Sequence, residues 1–172
     1  MTDIAALEED AGAWLWGRLP KGWFTERPSV TADRDELVVV GTLELPPVDG
    51  GEATKASVEA GRIKQFREET REKRIAIARE AERRYGRTIS WGARAGETTE
   101  LFTTASVPVM TRLRQPERRV LDTLVDAGVA RSRSDALSWC VRLVGRHEED
   151  WIAELRGALS AVHEARARGP EL

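Results

Sequence analysis

Cysteine is almost missing from this 172-residue chain: Cys140 stands alone, so no internal disulfide can form. Histidine is nearly as scarce. His147 and His163 are the only two, and with Cys140 they make no metal-ligand cluster of known spacing, so no metal site is expected. No run approaches the roughly 20 apolar residues of a membrane-spanning helix. The opening MTDIAALEED is acidic where a secretory leader is basic, so a cytoplasmic protein with no membrane contact is expected. No serine stands in a nucleophile motif, and no histidine is spaced for a triad. Gly86, Gly92 and Gly96 form neither a Walker loop nor a dinucleotide fingerprint. An enzyme is therefore not expected: there are no catalytic residues to name and no cofactor to place.

What is present is a globular composition, 41% hydrophobic and 33% charged. The net charge of −2 conceals a division of sign along the chain. Residues 62–87 carry ten basic side chains against five glutamates, and residues 104–146 carry eight arginines against four acids. A basic middle between acidic ends is compatible with nucleic-acid binding. A helix rich in both signs is ordinarily a solvated face. Where the basic helix does touch DNA, Arg71, Lys73 and Arg74 are the candidates for that additional contact.

The stretch TDIAALEEDAGAWLWGRL reads as a helix opened by Thr2 or Asp3 and stopped near Pro20. Trp14, Trp16 and Trp23 gather at its end, where a hydrophobic arm packing on a neighbouring domain or subunit is favoured over base stacking. ELVVVGTLEL predicts a strand over 36–45, with RPSVTA as its hairpin partner. From Ala53 to Tyr85, apolar residues at spacings near three and four predict one long helix stopped by Gly86. RTISWGARAGETTELFTTASVPV then predicts two further strands about a glycine turn. The order strand, strand, long helix, strand, strand describes a small α+β domain.

Between Gln115 and Gly128, Val120, Leu121, Leu124 and Val125 fall on one helical stripe, and Gly128 suits a C-terminal cap. A second helix opens at SRSDAL, where Ser132 caps the first turn and Asp135 completes a capping box. Its stripe is Ala136, Leu137, Cys140, Val141 and Val144. Two such helices behind one short strand bury too little apolar surface to stand alone, so association must supply the rest. A tail helix follows, with Trp151, Ile152, Leu155, Leu159 and Val162 on one face.

The strand VMTRL, the helix PERRVLDTLVDAG and the turn RSRSDAL resemble the ribbon-helix-helix family of DNA-binding proteins, over about residues 107–145. The resemblance implies an intertwined homodimer whose two strands pair antiparallel and enter the major groove of double-stranded DNA. By that match Met110, Arg112 and Arg114 read bases. Arg112 leads, because a guanidinium can bond two acceptors of one guanine. Ser132, Arg133 and Ser134, at the start of the second helix, hold phosphate.

The expected architecture is α+β: a small N-terminal α+β domain with one long helix, then a ribbon-helix-helix dimerisation unit and a C-terminal helix. The division is 1–24, a helical arm; 25–103, an α+β domain of unassigned role; 104–146, the DNA-binding and dimerisation unit; and 147–172, the helical tail. The expected function is a sequence-specific DNA-binding homodimer acting in transcription, as a repressor, with higher assembly left open. The alternative is an antitoxin-like or adaptor protein that dimerises through the same unit and grips a protein partner with its other region, the N-terminal half included.

Overall fold

The computed structural model describes residues 4–47, 51–147 and 149–168. These form six helices and one four-stranded sheet, a mixed α+β chain that divides into two compact units, residues 1–108 and 109–172. Among the described residues no helix is long and apolar enough to cross a membrane.

In the first unit, α1 (Ile4–Arg18) precedes the hairpin of β1 (Ser29–Ala32) and β2 (Glu36–Thr42). Asp33 turns that hairpin: its carboxylate accepts the N–H groups of Asp35 at 2.8 Å and Glu36 at 2.7 Å. The chain crosses through α2 (Glu52–Glu69) and α3 (Arg71–Tyr85) to β3 (Thr88–Ala95), which lies parallel to β2, and β4 (Thr98–Leu101) closes the sheet antiparallel to β3. Alternate residues of β2, Leu37 and Val39, join Ile89, Trp91 and Ala93 of β3 in one core with Ile63 and Phe66 of α2 and Ile77 and Ala81 of α3.

Two expectations change here. The long helix over 53–85 is interrupted at Thr70, whose β-branched side chain turns its hydroxyl back on the Phe66 carbonyl at 2.6 Å. Arg74 then fills the gap, donating Nε to the Thr70 hydroxyl at 3.0 Å and Nη2 to the Arg67 carbonyl at 2.8 Å. The helix α1 is not part of a separate arm, because its Ala11 and Leu15 lie fully buried in the sheet's core. Trp14 meets Tyr85 edge-on at 6.0 Å, and Trp23 packs 5.4 Å from Phe66 and 6.5 Å from Trp91. Only Trp16 of the three stays exposed.

Glu59 fastens the β3–β4 turn. Its carboxylate accepts the Glu97 and Thr98 N–H groups and the Thr98 hydroxyl, the last at 2.6 Å. Those bonds hold its carboxyl below the ordinary range, with the Thr98 hydroxyl the largest cause. Gly96 is required there twice over: its φ is +55°, and a Cβ would run into the Glu59 carboxylate. Glu36 accepts the Ser90 hydroxyl and the Ala105 N–H, fixing the chain as it leaves the sheet.

The second unit comprises α4 (Gln115–Asp126), α5 (Arg133–His147) and α6 (Glu149–Arg168). Gly128 ends α4 at φ +74°, donating to Val125 O at 3.0 Å while Val129 donates to Leu124 O at 3.0 Å, which is the Schellman pattern. Ser132 caps α5 as expected: its hydroxyl accepts the Asp135 N–H at 3.2 Å, and the Asp135 carboxylate accepts the Arg131 N–H at 3.0 Å. The strand expected over 109–113 is not formed in the single chain. Residues 103–114 have no regular structure, because a strand exists only with a ladder partner and none of the four strands pairs with this stretch.

Candidate functional site

The segment before α4 meets solvent on nearly every side chain. Val109 is 86% and Met110 97% exposed, and Thr111, Arg112 and Arg114 are exposed as well. Leu113 is the exception. It is half-buried against Leu121, Ala130 and Ala136, and its carbonyl accepts Arg118 Nη1 at 2.7 Å. Leu113 is thus turned inward in the single chain, whereas Val109 and Thr111 are exposed. The Arg112 and Arg114 side chains have no ion-pair or hydrogen-bond partner among the described residues. Arg114 is also the N-cap position of α4, with extended backbone.

At the start of α5 the three expected phosphate-binding residues have different surroundings. The Ser132 hydroxyl is occupied by its cap, and Ser134 is exposed. Arg133 is engaged with α4. Its Nε lies 2.6 Å from Oδ1 of Asp122 and its Nη2 2.8 Å from Oδ2, a bidentate pair. The Arg133 hydrogen bond, ahead of any other cause, holds the Asp122 carboxyl below its usual range. Sequence reading missed Asp122, because the partners stand on different helices and no intrahelical spacing announces the pair. It also passed over Arg131, whose side chain is 96% exposed beside the same turn.

The three candidates on the basic helix separate. Arg74 is buried, with its guanidinium over the Phe102 ring at 4.8 Å and its donors used at the α2–α3 break; burial lowers its pKa. It cannot reach a nucleic acid, which corrects that assignment. Arg71 is exposed and paired with Glu72 at 2.9 Å, and Lys73 is exposed. Neighbouring arginines serve similar local ends: Arg67 binds Glu100 at 3.1 Å, and Arg87 donates to the carbonyls of Asp33 and Tyr85. Much of the positive surplus in 62–87 thus ties the sheet unit together. No three His, Cys, Asp or Glu side chains among the described residues are grouped to hold a metal ion.

Two family models match the chain. Residues 9–101 match the Rv1265-like protein, N-terminal domain, and residues 114–166 match the Mb1296 C-terminal domain. The uncharacterized protein Mb1296 of Mycobacterium bovis and the uncharacterized protein Rv1265 of Mycobacterium tuberculosis are each 56% identical to it over 162 residues, which covers 94% of this chain and 71% of theirs. No solved structure matches. The two matched segments fall within the two compact units, and the chain belongs to the Rv1265-like family.

Proposed function

We propose that this protein is a DNA-binding homodimer that regulates transcription as a repressor, with residues 109–113 of two copies paired as a ribbon-helix-helix reading strand. One observation carries the reading: the second unit is left incomplete by its own chain. Among the described residues it buries only Leu121, Ala130 and Ala136, yet holds ten of the thirteen large apolar side chains found exposed. So much exposed apolar surface beside so small a buried cluster favours a second body that covers it. Its exposed valines on α4 and α5, Val120, Val141 and Val144, are where a second copy would pack.

Pairing of the two 109–113 segments would satisfy their backbone groups and leave Met110 and Arg112 on one face, since alternate strand residues point the same way. Arg112, without a partner, is free to bond a guanine edge, and Arg114 stands at the strand end. The first turn of α5, with Ser134 and Arg133, would meet a phosphate. Selection from a random duplex library followed by anisotropy titration tests this. Wild type should enrich a two-fold-symmetric site, and Arg112→Ala should lose about 1–3 kcal/mol of discrimination per half-site. Equal binding of all duplexes by both proteins would refute the reading.

A second reading, an adaptor or antitoxin-like protein, is favoured by the apolar stripe of α6, where Trp151, Leu155, Leu159 and Val162 are exposed. Purification from the native host as a stoichiometric complex with another protein would support it, and recovery of homodimer alone would oppose it.

A further inference from the structure

We propose that Asp122 is an affinity-limiting residue that competes with DNA phosphate for Arg133. The inference rests on the DNA-binding reading above and goes beyond it. Arg133 is the first residue of α5, the position from which a long side chain can reach an anion held at that helix start. Its Nε and Nη2 form the planar edge that binds two oxygens of one anion, and both are taken by the two oxygens of Asp122. A phosphate approaching the same edge must displace the carboxylate, because one edge cannot bond two anions. It also meets the negative charge of Asp122 itself. The exchange is feasible: both partners are substantially exposed, at 59% and 44% of their side chains, and exposed pairs are weakly held. The fixed parts of the site support this arrangement. Ser132 and Asp135 set the helix start independently of Arg133, so the arginine can change partners without disturbing the cap. Asp122 therefore sets how tightly the backbone is gripped without contacting DNA.

Phosphate contacts are independent of sequence, so a fluorescently labelled duplex of mixed sequence serves as the probe. Asp122→Asn in the full chain should tighten binding about three- to thirtyfold in a two-copy complex and steepen the log–log salt dependence by about 2, one phosphate per copy. That gain should vanish when Asp122→Asn is placed in an Arg133→Ala background. A gain of equal size there would show that Asp122 acts only as a like charge near DNA and would overturn the proposal. So would unchanged binding by both Asp122→Asn and Asp122→Ser, each first shown by thermal unfolding to be folded. If either result comes with loss of site selection in Arg112→Ala, the DNA-binding reading stands and only this inference falls. If the wild type binds no duplex at all, both fall.

Discussion

Replacing Leu121 by Ala should unfold the second unit while leaving the first intact. Leu121 is 5% exposed and is the only large side chain among the three that the described residues of that unit bury; the others are Ala130 and Ala136. Removing a buried leucine side chain costs about 2–5 kcal/mol, from lost burial and the cavity left behind. A unit the size of residues 109–172 has a total stability of about 3–10 kcal/mol at ordinary values per residue. The loss is thus comparable with the whole. The first unit, with sixteen buried hydrophobic residues in its core, contains no part of this cluster. Amide hydrogen exchange read by peptide mass spectrometry separates the two. Peptides from 115–147 should lose protection in Leu121→Ala, and those from 36–42 and 88–95 should keep it. Under the proposed pairing of two copies, raising the protein concentration should restore part of the protection in 115–147. Loss of protection in both units together, or protection in 115–147 that does not respond to concentration, would refute the reasoning.

Other expectations concern the sheet unit. Arg74→Ala should lower stability by about 1.5–3 kcal/mol in urea unfolding, the worth of hydrogen bonds from a charged donor, and leave DNA affinity unchanged. Gly96→Ala forces a side chain into the left-handed region and against Glu59, and should cost at least about 1–2 kcal/mol by the same assay. The lowered pKa of Glu59 means that its hydrogen bonds contribute fully above the unfolded carboxyl pKa and are lost as pH falls through the folded value. Acidification from pH 7 to pH 3 should therefore lower the melting temperature of wild type more than that of Glu59→Gln.

The order of the strands along the chain was legible, though not how they pair in the sheet, because the strands are bounded by glycine, proline or a capping residue and carry β-branched residues: Glu36–Thr42 lies within the expected 36–45, and Thr88–Ala95 falls where the pattern places it. The caps at Gly86, Gly128 and Ser132 were legible for the same local reason. The helix break at Thr70 was not, since the 3.6-residue period runs on through it and only the hydroxyl's return to Phe66 marks it. Burial of Arg74 was also hidden, because arginine is normally solvated and the Phe102 ring that covers it arrives from the far end of the sheet. At the candidate site, local reading identified the exposed Met110 and Arg112. It missed Asp122, whose pairing with Arg133 depends on how two helices are set against each other.

Interchain disulfide trapping tests the pairing of two copies most directly. Single cysteines would be placed in turn from position 109 to 113 in a Cys140→Ser background. Across a two-fold axis in an antiparallel ribbon, the residue at the axis faces its own copy with Cβ atoms about 4.5–5.5 Å apart, close enough to be drawn into a disulfide. The proposed ribbon predicts efficient linkage at one position, declining on either side, from dilute protein that runs at the mass of a dimer. Uniformly absent linkage, with a monomer mass, would contradict it.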